Sequence, residues 1–184
     1  MIGGEFRSRV LKTLPGLDVR PTPDRLRESL FSVLAPRIEG ATFVDAYAGT
    51  GSVGIEAISR GAKKAIFLEQ NQAAVAVIRA NLKSLGIDGR AEVRRGRATS
   101  SLGKLGADIV FLDPPYRLDQ EYELALDLVG ASPPPLVIVQ HDVRRKMKEM
   151  YGLLSLQRVM KQGDNVLTFF APSYPAGREL DALC

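Results

Sequence analysis

From Thr42 onward, short apolar runs alternate with stretches whose apolar residues recur every three to four positions. "TFVDAYAG", "KAIFLEQ", "ADIVFLD" and "PLVIVQH" have the near-continuous apolar character of strands covered on both faces, and "AEVRRG" reads as a short strand. Between them, "SVGIEAISRG", "NQAAVAVIRANLKSLG" and "QEYELALDLVG" carry helical spacing, and Gly61 and Gly86 close the first two. Strand, turn and helix repeated in this way predict an α/β domain. Its sheet is mostly parallel and twisted, with helices on both faces. Near the end, "LLSLQRVMKQG" and "NVLTFFAP" read as two strands joined at Gly163-Asp164, which adds an antiparallel strand. "VRRKMKEMYG", just before them, reads as a helix.

The first forty residues follow another pattern. "RSRVLKTL" alternates polar and apolar positions and meets a turn at Pro15-Gly16, which predicts a hairpin. In "RPTPDRLRESLFSVLAP", Thr22 is placed to cap a helix with Pro23 in its first turn and Asp24 at its positive end. Leu26, Leu30, Phe31 and Leu34 then fall on one side, and Pro36 is the expected stop. The resulting division is a hairpin-and-helix extension over 1–40, an α/β domain over 41–172 and a loosely held tail over 173–184.

With 184 residues and 45% hydrophobic content, the chain can build one sizeable core. The net charge is only +4, but the cations cluster. Arg7, Arg9, Lys12, Arg20, Arg25, Arg27 and Arg37 lie in the first segment, and Arg144, Arg145, Lys146, Lys148, Arg158 and Lys161 near the end. Two basic segments around a more neutral middle suit a polyanionic partner. Cys184 is the only cysteine and His141 the only histidine. A disulfide framework, a thiolate or histidine metal site and a Ser-His-Asp device are therefore not expected, and no metal is assigned. Neither a signal-peptide core nor an apolar run of membrane-spanning length is seen, so a soluble cytoplasmic protein is the expectation.

Candidate chemistry begins at "VDAYAGTGSVG", where Gly49, Gly51 and Gly54 stand in the spacing G-x-G-x-x-G as a strand feeds a helix. Such a turn lets a nucleotide-like cofactor approach the backbone at the carboxyl edge of the sheet. Glu69 closes the next strand, twenty positions after Gly49, where a carboxylate can accept from ribose hydroxyls. Asp45 lies at the strand end just before the turn. A carboxylate there would repel a pyrophosphate and attract an ammonium and a sulfonium, which favours S-adenosyl-L-methionine over NAD.

A second constellation is "DPPY", Asp113 to Tyr116, which follows a buried strand and should emerge at the same edge. An exocyclic nucleobase amine is a poor nucleophile because its lone pair is delocalised into the ring. Two acceptors on its N–H bonds would free that pair. The Asp113 carboxylate is one, and the Pro114 carbonyl can be the other. Pro114 and Pro115 hold the backbone extended and add no competing N–H. Tyr116 offers a stacking face worth on the order of 1–3 kcal/mol for a base.

The strand-end acid with its glycine turn resembles the first motif of class I methyltransferases, whose fold is Rossmann-like, and "DPPY" matches the motif of amino-methyltransferases. The stretches "IGGEFRSRVL", "RPTPDRLRESLF", "DAYAGTGSVGIEAISRGA", "LEQN" and "DPPY" together resemble the RsmD family, bacterial enzymes that methylate guanine N2 in 16S ribosomal RNA. That resemblance spans Ile2 to Tyr116. It implies cofactor contacts from Asp45, Ala46, Gly49, Thr50, Gly51, Glu69, Gln70, Asn71, Arg97 and Ala98, and a target-base site at Asp113, Pro114, Pro115 and Tyr116. It also implies that Arg20, Thr22 and Arg25 lie near the crevice and that Arg7 and Arg9 face RNA. Relatives often carry Asp or Asn before the alanine of "GRAT"; here it is Arg97, which leaves the adenine contact to the Ala98 backbone. "VQHDV" has Gln140 and His141 where relatives often place an acid, and His141 is read as a satisfied loop residue.

A base in ribosomal RNA, or in a small-subunit assembly particle, would have to be turned out into the pocket, which costs a few kcal/mol. Arg7, Arg9 and Lys12, with Arg144 and Arg145, are the candidates for compensating phosphate contacts. Three other readings stay open on the sequence: a DNA adenine-N6 methyltransferase with the same pocket, an NAD(P)-linked oxidoreductase using the glycine turn, and a non-catalytic RNA-binding module.

Overall fold

The computed structural model describes residues 1–14, 24–115 and 118–173. Five strands run parallel: β1 (Thr42–Ala46), β2 (Lys64–Glu69), β3 (Ala91–Arg95), β4 (Ile109–Leu112) and β5 (Leu136–Asp142). The sheet continues through β6 (Met150–Tyr151), β7 (Leu154–Gln162) and β8 (Asn165–Pro172), in the spatial order β3-β2-β1-β4-β5-β8-β7-β6. β8 pairs antiparallel with β5, β7 with β8, and β6 with β7. Two strands, β8 and β6, thus oppose the rest, where the sequence pattern gave one. β6 is too short to leave a period-2 signal.

Helices α1 (Asp24–Ile38), α2 (Ser52–Ser59) and α3 (Gln72–Leu85) cover one face of the sheet, and α4 (Asp119–Gly130) covers the other. The strand pleat sends Phe43, Phe67, Phe111 and Ile138 toward α1–α3. Val44, Leu68, Val110, Leu112 and Val139 go toward α4. All these residues are buried, each worth about 1.5–3 kcal/mol relative to exposure. Leu26, Leu30, Phe31 and Leu34 of α1 are fully buried in the same core as Phe43 and Phe111. α3 begins where Asn71 Oδ1 accepts from the amides of Ala73 (2.8 Å) and Ala74 (3.1 Å), and it stops at Gly86 with φ 68°.

Three expectations give way to tertiary partners. No strand forms among residues 1–14, so the projecting hairpin is replaced by a series of turns docked on α2 and α3. The fully buried Glu56 carboxylate accepts from the amides of Ile2 (2.9 Å) and Gly3 (2.7 Å) and from Arg60 Nε (2.8 Å). Ser59 takes the Glu5 and Phe6 amides, and Asn81 pairs with both backbone groups of Lys12. Gly4, at φ 74°, passes so close that a Cβ would lie 1.9 Å from the Ser59 carbonyl oxygen. These bonds fix residues 2–6 and Lys12 on the helices in place of strand pairing. The Pro15-Gly16 turn, Thr22 and Pro23 lie outside the described residues.

Pro36 does not stop α1, which runs on to Ile38. The lost N–H costs one bond in the final turn, while burial of Leu34 and Ile38 on either side holds that turn in place. The third correction concerns 143–149, which forms a turn and extended chain rather than a helix. Arg145 pairs with Asp119 and Lys148 with Glu123, both on α4, and Tyr151 Oη donates to Glu123 (3.2 Å). The charges that would decorate a free helix are drawn onto the acidic side of α4 instead.

The Glu56 junction gives a direct test. Glu56→Ala strands two backbone amides and a guanidinium, and should lower the unfolding free energy by about 2–4 kcal/mol in chemical denaturation. Glu56→Gln, which keeps an acceptor, should cost less.

Candidate active site

The carboxyl edge of the sheet gathers acids. Asp45 lies one residue inside the end of β1, Glu69 ends β2, and Asp113 follows β4 directly. Their strands are neighbours, with Ala46 in register with both Leu68 and Leu112. Every one of these side chains is therefore set by the sheet, not by a free loop. Asp45 is buried, and its Oδ2 accepts from the Gly54 amide at 2.8 Å. Gly54 must be glycine for that approach, because a Cβ would stand 2.4 Å from the Phe67 ring and 3.1 Å from Asp45 Cβ. The turn before it bends through left-handed Gly49 (φ 54°) and Gly51 (φ 78°).

Glu69 braces the turn from the neighbouring strand. Its Oε2 accepts from the Gly49 amide (2.8 Å) and its Oε1 from the Asn71 amide (2.7 Å). A carboxylate has about four acceptor sites, so two stay open after these bonds. Thr50 lies between the two turn glycines, Gln70 and Asn71 follow β2, and Ala46 ends β1. Ala98 is buried in a 3-10 turn after β3. The structure thus brings the residues read as cofactor contacts to one edge, over β1, β2 and the segment after β3.

Desolvation raises the pKa of Asp45 and Asp113. Asp45 rises from 3.8 to about 8, first because it is desolvated, then because Asp113 and Glu69 lie nearby; the Gly54 amide opposes this. Asp113 rises to about 7 through desolvation. The backbone of Asp113 bonds back to the Ala46 carbonyl (3.4 Å). Pro114 is buried, and its carbonyl accepts from Tyr122 Oη at 2.9 Å, so one of its two lone pairs is already engaged. Tyr116 lies outside the described residues, as do Arg20 and Thr22.

The predicted RNA contacts disperse. Gly3 to Phe6 sit on Ser59, at the C-terminal end of α2, and Arg7 and Arg9 follow them as exposed residues. Arg25 is exposed in the first turn of α1. Arg144 is exposed but forks onto Asp142 (2.8 and 3.1 Å), while Arg145 lies 3.9 Å over the Tyr122 ring and pairs with Asp119. His141 is in β5, buried, with its ring nitrogens on the Asp142 carbonyl (2.9 Å) and Thr168 Oγ1 (2.8 Å). It is a satisfied residue, but a strand residue rather than a loop one. Burial lowers its pKa. Among the described residues no His, Cys, Asp and Glu cluster could hold a metal, and no helix is long and apolar enough to cross a membrane.

Sequence reasoning passed over two side chains. Tyr47, inside the glycine motif, holds φ 65°, and its hydroxyl donates to Glu121 Oε1 at 3.1 Å. Tyr122 reads as helix core by spacing, and it is buried, yet its hydroxyl reaches the Pro114 and Gln140 carbonyls. A hint at Tyr47 was available, since a bulky residue between a strand-end acid and two turn glycines has little room in extended backbone.

Strand order, the glycine turn and the acids at the strand ends together define a class I methyltransferase fold. The solved structure of yhhF from Escherichia coli is similar, at TM-score 0.82 and 34% identity over 94% of this chain and 96% of that one. An RNA methyltransferase from Salinibacter ruber, solved with S-adenosyl-L-homocysteine, shares the fold alone, at TM-score 0.67 and 17% identity over 88% of this chain and 99% of that one. The family described as Conserved hypothetical protein 95 matches residues 1–171, and this chain belongs to it. Curated relatives include the ribosomal RNA small subunit methyltransferase D of Escherichia coli, 36% identical over 86% of this chain and 82% of the relative. YlbH of Bacillus subtilis is 32% identical over 86% of this chain and 90% of its own.

The raised acids carry a signed prediction. A carboxyl whose folded pKa exceeds its unfolded value destabilises the fold as it ionises, so its contribution falls as pH climbs from about 4 to about 8 and is flat beyond. Asp45→Asn keeps an acceptor for Gly54 and removes that titration. Its stability relative to the parent should rise progressively between pH 5 and 8 in paired denaturation curves.

Proposed function

We propose that this chain is an S-adenosyl-L-methionine-dependent methyltransferase acting on the exocyclic N2 amine of a guanine in small-subunit ribosomal RNA. The observation that carries the reading is the crowding of Asp45, Glu69 and Asp113 beside the glycine turn, where burial and the two neighbouring acids raise the Asp45 pKa. A pyrophosphate would be repelled there, which weighs against an NAD(P) site. An ammonium and a sulfonium would neutralise the acids. Membership of the family and the small-subunit ribosomal RNA enzyme among its relatives support RNA over DNA as the substrate.

When bound, the cofactor supplies an electrophilic methyl group on a sulfonium. Asp45 and Glu69 would hold its cationic and ribose portions, Gly49 and Gly51 admit it to the backbone, and the Ala98 amide is available on its adenine side. Asp113 and the free lone pair of the Pro114 carbonyl would take the two N–H bonds of the target amine. The amine nitrogen then gains tetrahedral character and its lone pair becomes available for attack. Once methylated, the nitrogen is strongly acidic, and Asp113, poised at about 7, can receive the departing proton. Gripping the amine requires ionised Asp113, so kcat/KM should climb with pH through about 7 and then level.

Labelled cofactor, incubated with small-subunit RNA and with assembled particles, followed by digestion and mass spectrometry of the nucleosides, tests the substrate. N2-methylguanosine is the expected product; label in adenine, in DNA or in no nucleic acid would overturn the assignment. Asp113→Ala should lose at least about 100-fold in methyl transfer. Its cofactor affinity should change by no more than a few fold.

A further inference from the structure

The first turn of α4 reaches into both halves of the crevice. Glu121 Oε1 accepts from Tyr47 Oη (3.1 Å), in the turn between Asp45 and Gly49. Its Oε2 accepts from Arg97 Nη2 (3.2 Å), in the segment after β3 that leads into Ala98. One carboxylate thereby joins two loops on the cofactor side. The next residue, Tyr122, anchors the Pro114 carbonyl of the target loop (2.9 Å) and the end of β5 (3.3 Å to the Gln140 carbonyl). Adjacent residues of a helix point about 100° apart on a stiff backbone, so movement imposed through Glu121 is passed to Tyr122.

The clasp is also built with some strain. Tyr47 is a bulky residue at φ 65°, a conformation unfavourable outside glycine. It packs against the core on the α4 side. Burial, with Glu121 next in effect, raises the Tyr47 pKa, so its hydroxyl stays a donor across the working pH range. The Glu121 side chain is 13% exposed, whereas that of Arg97 is 64% exposed, so the acid is the fixed member and the guanidinium the outer one.

We propose that Glu121 is a positioning residue that fastens the Pro114 carbonyl to the cofactor crevice, so that filling the crevice steadies Asp113 and Pro114. This rests on the cofactor reading above. It also gives Arg97, which stands where relatives place an adenine-facing acid or amide, a role as a strut on Glu121.

Hydrogen exchange on the full chain, with and without S-adenosyl-L-methionine, separates the possibilities when Glu121→Gln and Tyr47→Phe are compared with the parent. In the parent, cofactor should slow exchange in peptides covering 96–102 and 113–120. In both variants the 96–102 protection should persist and cofactor Kd stay within threefold, while protection of 113–120 falls at least fivefold. Undiminished protection of 113–120 in the variants, or none in the parent with cofactor bound, overturns the proposal. A parent that binds no cofactor removes the function proposed above, and the ligand-free arm then decides the clasp. There, 113–120 should exchange at least threefold faster in the variants with α3 unchanged. Unchanged rates, or equal acceleration in α3, would show no clasp.

Discussion

The constraint on which the site depends is the placement of several carboxyl groups at one edge of a parallel sheet, where desolvation and their mutual repulsion oppose ionisation. Asp45 and Asp113 are held there by strand pairing, and Glu69 by the amides of Gly49 and Asn71. The conflict shows in their raised pKa values, about 8 for Asp45 and about 7 for Asp113. A cationic ligand relieves it. Affinity for such a ligand and the raised pKa of Asp113 thus have one origin.

Around this edge, polar side chains act mainly as braces. Gly54 gives up its side chain so that α2 can offer an amide to Asp45 between that acid and the Phe67 ring. Tyr122 orients the Pro114 carbonyl from beneath, and Arg145 covers the Tyr122 ring while pairing with Asp119. The basic stretch after β5 is consequently bound up with α4, so its cations are not simply an open surface for phosphate. Further along α2, the Glu56 junction fixes the first residues of the chain.

Much of the fold was legible because both faces of the sheet are covered, which makes the strands continuously apolar and leaves the helices a clean period. Gly86 announced the end of α3 to the residue. The chemistry-bearing residues at strand ends were legible for a related reason, since parallel topology sends every strand end to one edge. What failed did so through partners distant in sequence. "RSRVLKTL" has the alternation of a strand, but Glu56, Ser59 and Asn81 claim its surroundings from more than fifty residues away. The stretch after Asp142 has helical spacing, yet the acids of α4 pull it open. Glu121 looked like one more surface acid on an amphipathic helix, and only the folded chain shows it between Tyr47 and Arg97.

Proton release on ligand binding tests the central claim most directly. If S-adenosyl-L-methionine satisfies acids that were protonated in the free protein, titration calorimetry at pH 7 in buffers of different ionisation enthalpy should report release of about one proton per ligand. The release should shrink in Asp45→Asn. Binding without proton release, or a preference for NADH over the sulfonium ligand, would contradict the account.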